Sequence, residues 1–157
     1  MAWQWCRRMV LAVLLVAAAL PAQAAEYLSL GRDTVYLRQG PSFDHKVLWI
    51  YHRKGLPVEV VNTYGPWRRV EDHDGTLGWI HNSMLSDRRS VLFVSAVPSP
   101  IRAGAAPGAT ALAFAARGVV GKLKSCKPQF CRVEAGGVDG WTNKKNIWGV
   151  DAGEAFR

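Results

Sequence analysis

Trp67-Arg68-Arg69-Val70-Glu71-Asp72-His73-Asp74-Gly75-Thr76-Leu77-Gly78-Trp79-Ile80 is the stretch that decides the fold. Trp67 to Val70 is a β-rich run, and Glu71 to Gly75 is a polar tip whose Asp-Gly step is a strong hairpin signal. Leu77 to His81 reads as the returning strand. Upstream, Val58-Glu59-Val60-Val61 is a further strand, separated from Trp67 by Asn62 to Pro66 and its Gly-Pro turn signal. The same signals return in the same order later in the chain. Trp67-Arg68-Arg69-Val70 is echoed by Phe130-Cys131-Arg132-Val133 after 63 residues, and Gly78-Trp79-Ile80 by Gly140-Trp141-Thr142 after 62. Leu37-Arg38-Gln39-Gly40-Pro41 is matched by Ile101-Arg102-Ala103-Gly104 at an offset of 64. Arg53-Lys54-Gly55-Leu56-Pro57-Val58 is matched by Ala116-Arg117-Gly118-Val119-Val120-Gly121 at 63, and Leu85 by Ile147 at 62. Matches in one order with so small a drift in offset mark a duplicated unit.

In the second unit Val119 to Lys124 is a strand, Lys127 to Phe130 a turn and Cys131 to Ala135 the return. Gly136-Gly137 turns the chain again, and Gly140-Trp141-Thr142 enters the last strand. Short strands at this spacing with Gly-rich turns predict an all-β chain of two tandem small barrels. Ala109 to Ala116 is Ala-rich, but Gly118 and the repeat alignment make it an irregular loop. The expected division is residues 34–86 for the first barrel and 99–149 for the second. Residues 87–98 form a linker or bridging strand, with Ser90 to Val94 apolar, and residues 150–157 a flexible tail. Units of roughly 50 to 60 residues are marginal alone, so a shared interface is expected.

Residues 1–24 have the pattern of a removable signal peptide. Arg7 and Arg8 form a positive start, Met9 to Leu20 an apolar run of 12 residues, Pro21 a break, and Ala22-Gln23-Ala24 a small-x-small cleavage pattern. The run is shorter than the ~18 residues a spanning helix needs, so no stable membrane span is expected after cleavage. Ordinary secretion fits better than a twin-arginine signal, and no Cys stands at the cleavage point for a lipid anchor. Cleavage removes Cys6 and leaves Cys126 and Cys131, which in an exported chain read as a disulfide across a four-residue turn. Half a metal site is the rival reading, but His45, His52, His73 and His81 all lie at least 45 residues upstream.

The chain resembles the bacterial SH3 domain family. The motifs that carry the likeness are Val35-Tyr36-Leu37-Arg38-Gln39-Gly40-Pro41, Arg53-Lys54-Gly55-Leu56-Pro57-Val58-Glu59-Val60, Trp67-Arg68-Arg69-Val70 and Gly75-Thr76-Leu77-Gly78-Trp79-Ile80. The first unit is similar throughout. The second is a degenerate copy, without a counterpart of Pro41 and with Phe130 where the first has Trp67. Over residues 34 to 149 the chain looks like the exported two-barrel SH3-like proteins of Gram-negative bacteria. The resemblance implies a periplasmic or secreted binding module for peptidoglycan or an envelope protein, without a cofactor.

Catalysis needs a nucleophile with its base, or a metal. Both cysteines of the mature chain are expected to be oxidised, and the second unit contains no His. Glu71-Asp72-His73-Asp74 could hold a metal, but consecutive residues on a strand end alternate faces, which favours a solvated tip. No P-loop, Rossmann or nucleophile-elbow pattern is present. The binding candidates are therefore the aromatic set Tyr36, Trp49, Tyr51, Tyr64 and Trp67 with Arg38, since rings stack on sugar faces and on peptide. Trp79 and Trp141 are expected in the barrel cores. Charge supplies a second candidate. Residues 35–85 carry 6 basic and 5 acidic side chains, whereas residues 99–150 carry 8 and 2. Lys122 and Lys124 share one strand face and could attract an anionic polymer, or could be a solvated face that guards the sheet edge. Nucleic acid is a poor partner for an exported chain.

Overall fold

The computed structural model describes residues 25–157; the leader expected at residues 1–24 lies outside the described residues. Seven antiparallel strands make the first sheet: β1 (Glu26–Leu30), β2 (Val35–Arg38), β3 (Val47–Tyr51), β4 (Pro57–Tyr64), β5 (Trp67–Glu71), β6 (Leu77–His81) and β7 (Leu85–Ser86). Seven more make the second: β8 (Ser90–Phe93), β9 (Ser99–Arg102), β10 (Ala111–Ala115), β11 (Val120–Cys126), β12 (Phe130–Ala135), β13 (Val138–Asn143) and β14 (Ile147–Trp148). The spatial orders are β3-β2-β6-β5-β4-β1-β7 and β10-β9-β13-β12-β11-β8-β14, the same path walked twice. A one-turn 3-10 helix stands before the last strand of each, at Asn82–Met84 and Lys144–Asn146. Even the irregularities repeat. Leu48 and Leu112 are the extra residues of β3 and β10, and Val61 and Lys124 those of β4 and β11.

Each sheet wraps its own core. Val35, Leu37, Val58, Val70 and Ile80 fill the first; Val91, Phe93, Ile101, Val133 and the Cys126–Cys131 pair fill the second. The disulfide joins directly opposed residues of β11 and β12. Alternation along a strand puts Gly78 and Ile80 inside and Trp79 outside, half-buried, and likewise Gly140 and Thr142 against Trp141. The expectation that Trp79 and Trp141 are core residues is thus corrected. The glycine before each Trp is what the core requires. A Cβ on Gly78 would come within 2.5 Å of Leu37 Cγ, and one on Gly140 within 2.6 Å of the Arg102 carbonyl oxygen. Strands β2 and β9 cross these glycines too closely for any side chain.

Three further segments are placed by the structure. Ala111–Ala115 is an edge strand paired with β9, not an irregular loop. Of the linker or bridging strand expected at residues 87–98, Ser90–Phe93 is a strand of the second sheet, paired with β11 and β14. That strand also closes the first barrel. Leu92 lies in the first core, while Val91 and Phe93 lie in the second. Residues 150–157 are tied down rather than free. Lys144, buried to 9% exposure, donates through Nζ to the carbonyls of Asp151, Ala152 and Glu154. Arg89 grips both oxygens of Glu154 at 2.8 and 3.1 Å, and Phe156 exchanges two backbone hydrogen bonds with Cys126. Burial opposes ionisation of Glu154, but the Arg89 hydrogen bonds outweigh it and hold the carboxyl below its usual range.

The same elements join the barrels. Tyr27 of β1 meets Trp148 of β14 edge-on at 5.4 Å, and the Arg89 guanidinium lies 5.5 Å from the Tyr27 ring centroid. The backbone N–H of Ala25 donates to Asp151 Oδ2 at 2.9 Å. Burial, with the nearby carboxylates of Glu59 and Asp151, pushes the Tyr27 hydroxyl up to about 12.

Candidate functional site

The outward side of the first sheet collects aromatic and basic groups. Pairing sets Arg38 beside Trp79 and Trp79 beside Arg69; the next rung sets His81 beside Trp67 and Trp67 beside Tyr64. Across this face lies the loop from Gln39 to Lys46, held by Arg38. Its Nη1 donates to the carbonyls of Phe43 and His45, both at 2.9 Å. The loop thereby lays Phe43 on Trp67 and His81, at 4.9 and 5.4 Å between ring centroids. The Arg38 guanidinium sits 5.6 Å from the Phe43 centroid and 6.0 Å from that of Tyr36, a cation–π geometry. Phe43 remains 65% exposed and Tyr64 66%, so the cluster offers ring faces to solvent around a fixed positive charge.

Of the residues expected at this site, the structure places Tyr36, Arg38, Trp49 and Tyr64 at the surface, each partly or largely exposed. Trp49 is 57% exposed although Tyr51, two residues on, is 6% exposed. Strand β3 is the sheet edge and bulges at Leu48, so Leu48, Trp49 and Ile50 all emerge together. Tyr51 does not belong to the contact surface. Its hydroxyl donates to Asp72 Oδ2 at 2.8 Å inside the barrel, and burial with that hydrogen bond raises its pKa far above the usual tyrosine range. Trp67 is 6% exposed and serves as the base on which Phe43 rests rather than as a contact of its own. Phe43, Leu48 and Ile50 were not singled out by sequence. Phe43 stands two residues after the motif Arg38-Gln39-Gly40-Pro41, and that nearness was the available signal.

Asp72, His73 and Asp74 converge more closely than alternation allows, with potential ligand atoms within 4.8 Å, because the tip is a turn with Gly75 at φ 82°. Asp72 is nonetheless committed to the fold. Oδ1 accepts from the backbone N–H groups of Asp74 and Thr76, and Oδ2 accepts from Tyr51. That arrangement is a turn cap rather than a set of free ligands.

The equivalent face of the second barrel has the same frame and different chemistry. Arg102, Trp141 and Arg132 form the matching row, and Arg102 Nη1 holds its loop through the Ala109 carbonyl at 2.8 Å. Arg132 is neutralised by both oxygens of Asp139 at 2.7 and 3.2 Å. Lys122 and Lys124 are exposed and both close on Glu134, at 2.9 and 2.7 Å. Lys122 and Lys124 alternate with the buried Gly121 and Leu123 and share one strand face, with the bulge falling at Lys124. The hydrogen bonds from Lys124 and Lys122 lower the Glu134 carboxyl to about 2.

A bacterial SH3 domain profile matches residues 31–87 and again 95–149. No curated protein matches the chain. Among solved structures, NlpC2 from Trichomonas vaginalis is similar at 13% identity and a TM-score of 0.37, over 81% of this chain and 49% of that one. NlpC1 from Trichomonas vaginalis is similar at 13% identity and a TM-score of 0.37, over 87% of this chain and 50% of that one. The chain thus spans about half the length of these two proteins. No helix among the described residues is long and apolar enough to cross a membrane. With both halves of the described chain matched and both folded along one strand order, the chain belongs to the bacterial SH3 domain family, as two tandem copies.

Proposed function

We propose that this chain is a non-catalytic binding protein of the cell envelope, exported with loss of its first 24 residues, that holds peptidoglycan on the outer face of its first barrel. The observation that carries this reading is the pair of exposed rings Tyr36 and Phe43 against the Arg38 guanidinium, with Tyr64 exposed beside Trp67 and Trp49 exposed at the neighbouring sheet edge. Ring faces stack on sugars and on peptide planes, and a guanidinium beside them supplies a donor fork for a carboxylate. The Cys126–Cys131 bond supports a role outside the reducing cytosol and leaves the described chain no free thiol to act as a nucleophile.

Sedimentation of the purified protein with cell-wall sacculi across a salt series tests the reading. Ring stacking predicts pelleting that survives high salt. Replacing Phe43 and Trp49 together by Ala removes two contacts of about 0.5–1.5 kcal/mol each and weakens pelleting about tenfold. Failure of the unaltered protein to pellet at any salt contradicts it. The second reading is an envelope protein as the ligand, favoured by the edge strand β3, whose Leu48, Trp49 and Ile50 are exposed beside an unpaired backbone edge.

A further inference from the structure

A cleft of about 980 Å³ lies between the barrels and shares no residue with the aromatic face. Its charged lining is Arg32, Lys54, Arg88, Arg89, Lys122 and Lys124 against the single carboxylate of Glu134. Glu134 is already divided between Lys122 and Lys124, and Arg89 is engaged by Glu154. Arg32, Lys54 and Arg88 are exposed and have no carboxylate partner among the described residues. Opposed walls of one sign concentrate field in the gap and raise the local concentration of anions.

A second, independent feature lies on the same wall. Ser90 is 5% exposed, and its hydroxyl has no hydrogen-bond partner; Arg89 Nε is likewise buried and unpartnered. Buried polar groups are ordinarily satisfied, and an orphan costs about 1–3 kcal/mol. An orphaned hydroxyl on a cleft-lining residue, beside unpaired cations, fits an acceptor that binds there. Gly55, Gly136 and Gly137 also line the cleft and leave their main chain uncovered by side chains.

We propose that this inter-barrel cleft binds a small anion carrying several phosphate or carboxylate groups. Arg32, Lys54 and Arg88 meet it from the first barrel and the junction, and Lys122 and Lys124 from the second. The Ser90 hydroxyl donates to it. Cations on both walls favour a ligand of multiple charge. The volume selects a small ligand, being near the top of the roughly 300–1,000 Å³ range of small-molecule sites. This site goes beyond the cell-wall reading, differing from it in residues and in ligand.

Calorimetric titration of the purified protein with tripolyphosphate and, separately, with citrate tests the proposal and distinguishes phosphate from carboxylate as the preferred group. The expected result is one site per chain for at least one of the two, weakened at least about tenfold between about 50 and about 500 mM salt. Lys54→Glu with Arg88→Glu, both at exposed positions, is expected to weaken binding about tenfold or more. Ser90→Ala leaves the charge unchanged and removes an unpartnered hydroxyl, so it is expected to keep the unfolding temperature while weakening binding about threefold. Arg117→Glu, outside the cleft, is expected to leave affinity within about twofold. Absence of binding by both anions overturns the proposal. So does an equal loss in Arg117→Glu and the cleft variant, which marks a response to net charge alone. No cell wall enters the experiment, so its failure leaves the proposed function of the aromatic face standing.

Discussion

The two barrels set the same three side chains across the same three strands, Arg38, Trp79 and Arg69 in one and Arg102, Trp141 and Arg132 in the other. What surrounds the row differs. Leu77 of the first barrel corresponds to Asp139 of the second, and only Asp139 neutralises its arginine. Phe43 covers Trp67 in the first barrel. In the second, the place of Trp67 is taken by Phe130, beside Cys131 and its disulfide. Duplication thus kept the positions that the backbone needs, the crossing glycines and inward β-branched residues, and let the outward positions diverge. One copy leaves rings and Arg69 open to a ligand, while the other pairs the equivalent Arg132 with Asp139.

The comparison can be broken at several points. Leu92→Ala has the largest expected effect, about 2–5 kcal/mol, because the side chain sits on a strand of the second sheet and fills the first core. Thermal unfolding followed by calorimetry is expected to remain a single transition at lower temperature; two separated transitions would mean that the barrels do not share this wall. Gly140→Ala and Gly78→Ala come next, at about 1–3 kcal/mol each. The order between them is specific. Gly140 faces the Arg102 carbonyl at 2.6 Å, whereas the equivalent Arg38 carbonyl lies 2.9 Å from a Cβ on Gly78, behind the buried Leu37 side chain at 2.5 Å. Denaturant titration is expected to show the larger loss for Gly140→Ala.

Reduction of the Cys126–Cys131 bond, with blocked thiols, is expected to cost about 2 kcal/mol by the chain-entropy account, since the closed loop is short. Amide exchange is expected to rise first in β11 and β12, and equal rises in β4 and β5 would contradict a local role. Alkaline pH probes the junction instead. Tyr27 is raised to about 12 against an ordinary value near 10. A raised pKa contributes stability that is fully present below about 10 and lost as pH climbs through about 12. Absorbance titration is expected to show Tyr27 ionising late, with loss of the Tyr27–Trp148 contact, and Tyr27→Phe is expected to reduce that pH dependence. The smallest effect belongs to Asp139→Asn. It releases Arg132 and makes the second face resemble the first, at a stability change within about 1 kcal/mol for an exposed pair.

The fold was legible because the duplicated order of strand and turn signals is a property of the backbone path, and Gly78, Gly140 and the Asp74-Gly75 step carry it locally. Strand β8 was harder, since Ser90–Phe93 is buried on both sides and shows no alternation that would assign it to one barrel. The site was legible only in part. Trp49 and Tyr51 have the same parity along a strand, and nothing in the residues reveals that an edge bulge exposes one while Asp72 draws the other inward. Trp79 and Trp141 misled because a large ring after Gly suggests a core filler, whereas the Gly itself is the inward residue. Charge counts likewise ranked the second barrel as the more attractive to anions, and only geometry pairs Lys122, Lys124 and Arg132 with carboxylates.

The division of labour between the faces is tested most directly by a backbone amide NMR titration with soluble peptidoglycan fragments. The expected shifts concentrate on Tyr36, Phe43, Trp49 and Tyr64, with the row Arg102, Trp141 and Arg132 unmoved. Shifts centred on that second row, or spread evenly over both, contradict the account.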